Sequence, residues 1–245
     1  MSRIVAGAFL AALLAPVVAS AAIAADRPAD LCLEFVPAAI DEHAWAGVQE
    51  RVGEVVRARP ALFPAPLLVV GSTSRLDVAS GHDGLPATAA TCLEPGFDWT
   101  ARYGRDFLEA GADRLLAEAP TTPGIDSDVT IEWYPDESRL RTTLVFAGPL
   151  DIPNGTCWVD DRLSVDEASG TVVASGEQGV RTSPFAEVAC ARFFGNLPDG
   201  GAGAQVATLL PAVVELDDGG VLRLVAVDVV VRDDAIIISG SLQRD

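Results

Sequence analysis

His82 stands in Gly81-His82-Asp83-Gly84, an imidazole beside a carboxylate in a stretch that reads as a loop. With a pKa near neutrality it is the best single candidate for a general base, and with dispersed carboxylates it sketches a hydrolase. Residues adjacent in sequence often point apart, so a solvated loop histidine accounts for the same dipeptide. His43 falls in the first turn of an expected helix and reads as a surface residue. The paired carboxylates Asp126 and Asp128, Asp160 and Asp161, Asp217 and Asp218, and Asp233 and Asp234 suggest acid–base work or calcium. The ordered calcium loop with its central glycine is absent, and the last two pairs are good turn formers. Gly200-Gly201-Ala202-Gly203 resembles a phosphate cradle only in composition. No clear strand precedes it and no lysine follows, which predicts a glycine-rich loop over 196–204.

Absences narrow the chemistry further. All 17 basic residues are arginine, which removes Schiff-base lysines, Walker phosphate loops and Ser-Lys dyads. Met1 is the single methionine, so copper handling by methionine clusters is out, and two histidines are too few for multi-histidine metal centres. No G-x-S-x-G occurs, so the nucleophile elbow of serine hydrolases is missing. Cys32, Cys92, Cys157 and Cys190 show no C-x-x-C spacing, and an even number of cysteines in an exported chain points to two disulfides rather than zinc. Of the three pairings, Cys32 with Cys92 and Cys157 with Cys190 each close a loop inside one half of the chain. Loops of that size stabilise a fold by roughly 3 to 4 kcal/mol each in the chain-entropy model. No cofactor or metal is expected.

Export is expected from the first residues. One basic residue, Arg3, precedes an uncharged run from Ile4 to Ala25 that ends in Ala22-Ile23-Ala24, the small residues a signal peptidase inspects. Cleavage after Ala24 removes residues 1–24 and leaves a periplasmic or secreted chain without a stable membrane span. The net charge of −18 repels nucleic acid and anionic membranes, and it would suit a basic protein partner.

The elements that would position these residues fall into two parts. Residues 25–120 read as a helix-rich part and 121–245 as a β-rich part with one short helix, either two subdomains or a single unit. Asp41 caps a helix carrying Trp45, Val48, Val52, Val55 and Val56 before Pro60. Leu67 to Val70 start a strand continuing toward Val78. A second helix, capped by Asp98, is expected to carry Trp99, Tyr103, Phe107, Leu108, Ala112, Leu115 and Leu116 up to Pro120. Gly104 and Gly111, seven residues apart, weaken it intrinsically by about 1 kcal/mol each and would let it pack closely. Alternation of Val129, Ile131, Trp133 with Leu140, Thr142, Leu144, Phe146 around Pro135–Ser138 predicts a hairpin. Another turns at 166–170, a short helix is expected over 185–194, and the last strands turn at 217–220 and 232–234. The fold class is α+β: an antiparallel meander sheet against two or three helices.

The final strands are apolar on both faces. Strict alternation puts Val221, Val225, Val227, Val229 and Val231 on one side and Leu222, Leu224, Ala226 and Val230 on the other, followed by Ile236, Ile237 and Ile238. Such strands must be covered on both sides. This surplus points to a non-catalytic binder of an apolar or lipid-like ligand held among Phe107, Leu115, Val225, Val229 and Ile237. Ordinary core packing explains the same residues. A structural or partner-binding envelope module, and then the His82 hydrolase, are the alternatives.

Overall fold

The computed structural model describes residues 30–60, 62–64, 67–80, 91–118, 126–147, 155–181, 190–191, 201–216 and 218–244. His82, residues 1–29 and most of the expected 185–194 helix lie outside them. Two antiparallel sheets make up most of the structure, with two disulfides and a smaller helical share than the sequence suggests.

The first sheet has seven strands. β1 (Leu31–Phe35) is followed by α1 (Glu42–Arg57), then β2 (Leu67–Gly71) and β3 (Arg75–Ser80), where one strand had been expected. β4 (Trp99–Gly104) runs into α2 (Arg105–Glu118). The sheet is completed by β9 (Val213–Glu215), β10 (Val221–Val231) and β11 (Ala235–Arg244), in the order β2-β3-β1-β4-β11-β10-β9. The second sheet is a meander of β5 (Asp126–Tyr134), β6 (Arg139–Ala147), β7 (Gly155–Asp166) and β8 (Thr171–Arg181), and the six-residue α3 (Ala202–Ala207) lies against it. The expectation of one meander sheet is therefore corrected to two sheets.

The second expected helix is corrected in its first half. Trp99 and Tyr103 are four apart, a spacing that fits a helical face, but four is also an even number, so they fall on one face of a strand as well. They are buried in β4 with Ala101 between them, and helix begins only at Arg105. Asp98 does not cap that helix; its Oδ2 accepts the Leu242 amide at 3.0 Å and fastens β11. Asp41 does cap α1, accepting from the Ala44 amide at 2.8 Å, and Trp45, Val48, Val52 and Val56 form its buried face. Trp45 meets Phe35 edge-on, with ring centroids 5.6 Å apart. Gly111 brings α2 against Leu62, whose side chain a β-carbon there would meet at 2.7 Å.

Register sorts the seven-stranded sheet into two faces. Leu31, Leu33, Phe35, Leu76, Val78, Trp99, Ala101, Tyr103, Ile236 and Ile238 are paired neighbours on one of them and are all buried. Their core joins α1, α2 and the inner residues Ile131, Leu140 and Leu163 of the second sheet. A smaller cluster of Val129, Leu144, Phe146, Val159 and the Cys157–Cys190 disulfide packs on Ala112, Leu115 and Leu116 of α2. On the opposite face of the large sheet Thr100, Asp77 and Ser239 are buried polar groups. The segment 91–98 is tied down there by Cys32–Cys92, by the Cys92 amide donating to Glu34 and by the Glu94 amide donating to Thr100 Oγ1.

β10 breaks its own alternation. Ala226 pairs with Gly240, but Asp228 pairs with Ser239, so Val227 is an extra residue in a β-bulge and is exposed. Leu222, Leu224, Ala226, Val229 and Val231 consequently share the buried face, which corrects the strict two-face assignment made from the sequence. One charged pair carried the signal: Arg223 and Asp228 are both exposed yet an odd number apart, which an unbroken strand with one solvent face does not allow.

Candidate functional site: an apolar cleft between the sheets

The bulge sets up a cleft. With Leu224 and Ala226 on the same side as Ile238 and Trp99, these four form its floor. One wall is the turn between β7 and β8, Gly170, Thr171 and Val172; the other is Ala207, Leu210, Pro211 and Ala212. The cavity volume is about 70 Å3.

Each wall is fixed to the floor through the backbone. The three-residue β9 covers only the start of β10, and beyond it Leu224 N–H donates to Ala212 O at 2.9 Å and Ala226 N–H to Gly170 O at 2.7 Å. The edge of β10 at Leu224 and Ala226 is thus satisfied by the walls themselves. Gly170 has φ +64°, which only glycine adopts freely, and a β-carbon there would meet Val225 Cγ1 at 2.6 Å. Asp166 braces the turn by accepting Ser169 Oγ–H at 2.6 Å and the Ala168 amide at 3.2 Å. The Ser169 hydrogen bond, then that of Ala168, holds the Asp166 carboxyl below the usual range. On the floor, Gly240 leaves room for the Trp99 indole, which a β-carbon would contact at 2.7 Å; Trp99 Nε1–H donates to Ser241 O at 3.1 Å. Its polar atom is satisfied, so the ring serves as apolar surface. Among the described residues no ionisable side chain lines the cleft, and Thr171 carries the one side-chain hydroxyl. Such a lining sorts ligands by shape and apolarity.

Of the residues expected to hold a ligand, none of the five lines this cleft, though two, Val225 and Ile237, are immediate chain neighbours of its floor. Val225 is half-buried against the Gly170 turn. Val229 is buried beside Ile238, whereas Ile237 is buried on the other face, paired with Val230. Phe107 packs its ring on Phe63 at 4.8 Å between centroids. Leu115 lines a second pocket with Leu62, Leu108, Ala112, Thr142, Ala202 and Gln205, of about 20 Å3, room for a single water.

The carboxylate pair Asp160 and Asp161 is separated by the pleat. Asp160 faces outward and accepts from Arg139 Nη1 at 2.6 Å and from Arg141 Nε and Nη2 at 2.8 and 2.7 Å. The hydrogen bond from Arg141 is the main reason its carboxyl is held below the ordinary range. Asp161 points inward, is 2% exposed, and accepts the Gly203 amide at 3.0 Å at the start of α3, while Thr142 Oγ1 accepts the Ala202 amide. The glycine-rich stretch is thus corrected from loop to helix start at Ala202, and a carboxylate of the chain itself occupies its amides. A β-carbon on Gly203 would meet Asp161 Cβ at 2.5 Å. Burial pushes the Asp161 carboxyl up, against the downward pull of the Gly203, Ala204 and Gly201 amides. Asp126 and Asp128 are exposed on β5. Tyr103 is fully buried, its hydroxyl has no hydrogen-bond partner among the described residues, and burial pushes its pKa up.

No protein-family model matches the chain, and no curated protein matches it. Among solved structures, one titled as a lipopolysaccharide binding protein aligns at a TM-score of 0.27 and 8% identity, over 89% of this chain and 51% of its own. This chain therefore spans about half the length of that protein, and a likeness at this level carries no argument about fold or ligand. Among the described residues, no helix is long and apolar enough to cross a membrane.

Proposed function

We propose that the protein is an exported, non-catalytic binding protein that takes an apolar group of its ligand into the cleft between the sheets. The observation that carries this reading is the cleft's lining of Trp99, Val172, Leu210, Leu224, Ala226 and Ile238, with no ionisable side chain among the described residues. Burying an apolar group there releases water from both surfaces, worth about 25 cal/mol per Å2 removed from solvent. At about 70 Å3 the cavity accepts a short branched or terminal alkyl group, the end of a lipid-like molecule rather than its whole chain. A cavity of about 150 Å3 is what benzene needs. Two disulfides suit an oxidising compartment, in keeping with export and cleavage after Ala24.

The test is native mass spectrometry with solvent extraction on protein purified from a bacterial periplasm, compared with Ala226→Leu. Ala226 is buried in the floor, and leucine there adds an isopropyl group to the cavity. The wild type is expected to carry a reproducible apolar molecule that the variant lacks, with Tm unchanged or raised by the filled void. The same molecule retained by Ala226→Leu, or a clean apo mass for the wild type, refutes the reading.

A further inference from the structure

The free edge of the four-stranded sheet is β8, and its middle is bare. Ser175, Gly176, Glu177 and Gln178 are exposed whichever face they point to, and among the described residues β8 ends the strand order with β7 as its one sheet partner. An edge strand turns backbone N–H and C=O groups outward at every second residue, and most proteins guard such an edge with charges, proline or a bulge. The opposite edge, β5, is guarded, with Asp126, Asp128 and Glu132 exposed along it. β8 keeps an unbroken register with β7 from Thr171 to Arg181, contains no proline, and carries one charge, Glu177, before its last residue.

The register states what would complete this edge. Glu132, Arg141, Asp160 and Glu177 are cross-strand neighbours in one row over the outer face. Their charges run minus, plus, minus, minus. Asp160 is saturated by Arg139 and Arg141, and no cation pairs with Glu177 among the described residues. Like charges opposed across strands destabilise a sheet, and a cation on the next strand relieves the pair. In the adjacent row Trp158 faces Gly179, where a β-carbon would fall inside the indole, so the ring lies over the strand that forms the edge. A side chain added beyond Gly179 would meet that ring. We propose that β8 is a docking strand for an extended segment of a basic protein partner, added as a further strand, with a cation opposite Glu177 and an apolar residue two positions along beside Trp158. Main-chain hydrogen bonds supply affinity, and the two side-chain positions supply selection. The chain's net charge of −18 draws such a partner in.

The probes are two dye-labelled peptides of about ten alternating threonine and valine residues, one with a central arginine and one with a central glutamate, a length that matches a docked strand. Fluorescence anisotropy measures binding to the full chain and amide hydrogen exchange locates it. The arginine peptide is expected to bind roughly fivefold more tightly than the glutamate peptide, with the gap narrowing as salt is raised. Exchange slows at 175–178. Glu177→Arg, an exposed change that holds or slightly raises Tm by removing the like-charge pair with Asp160, reverses the preference, and Ala226→Leu leaves it unchanged. The proposal is overturned if protection falls on another edge, if neither peptide binds, or if the arginine preference survives Glu177→Arg. Protection of β8 that grows with protein concentration without peptide overturns it in favour of a second copy of the chain.

Discussion

Replacing Asp161 by alanine tests whether a buried carboxylate is what holds α3 to the second sheet. Asp161 accepts the Gly203 amide at 3.0 Å and also serves the amides of Ala204 and Gly201. Thr142 holds only that of Ala202. Each buried amide left without an acceptor costs about 1 to 3 kcal/mol, reduced where water enters, and a lost helix cap alone costs about 1 kcal/mol. Asp161→Ala is therefore expected to lose about 3 kcal/mol in urea unfolding, equivalent to roughly 6 to 12 °C in Tm for a chain of this size. Asp161→Asn keeps one acceptor oxygen and separates shape from charge. Burial holds the folded carboxyl above its ordinary value of 3.8, so its contribution is fully present below that value and is lost as the pH rises through the folded pKa. The stability of the wild type relative to Asp161→Asn should thus fall as the pH is raised from below 3.8 through the acid range. A loss below about 1 kcal/mol for Asp161→Ala, or a difference between wild type and Asp161→Asn that rises with pH, refutes the reasoning.

Asp160 should show the opposite pH sign. Its carboxyl is held below the ordinary range by Arg141 and then Arg139, so the stability it lends is present above 3.8 and is lost as the pH falls through the folded pKa. Asp160→Ala is expected to cost about 1 kcal/mol at pH 7, discounted for partial exposure, and nothing in strong acid, read from urea midpoints across pH. The disulfides close separations of 60 and 33 residues, and replacing either pair by serine should cost about 4 kcal/mol in the chain-entropy model, read by urea unfolding. Intact mass before and after reduction checks that each remaining bond has formed.

What the residues disclosed in advance, and what they hid, divides along the range of the interactions. Disulfide pairing was readable because each bond closes within a local stretch, and the 126–147 hairpin because its alternation and turn lie in one window. α1 was readable because cap and apolar stripe are contiguous. β4 was misassigned because four-residue spacing satisfies both periods, and its pairing partners β1 and β11 lie far off in sequence. The cleft was missed by one position on β10 and β11. Strict alternation was carried past Val227, and the bulge that moves Leu224 and Ala226 to the same side as Val229 depends on pairing with Ser239 and Gly240. The carboxylate on α3 was hidden for the same reason: nothing near Gly203 in sequence reveals that Asp161 lies beneath it.

The interior position of β11, between β4 and β10, also bears on how the large sheet closes. β4 pairs with β1 on one side and β11 on the other, and the bond from Trp99 to Ser241 spans 142 residues. Strands β1 to β4 can pair locally, and Cys32–Cys92 can lock them, long before β11 exists as a partner. Until then Trp99, Ala101 and Tyr103 belong to a strand with one side open, and closure waits on a contact of high loop entropy. The strand of the large sheet that comes last in chain order is its keystone. A sheet built only as far as β4 would present an unpaired edge there, and a chaperone that shields this edge would act on the step that commits the chain to its fold.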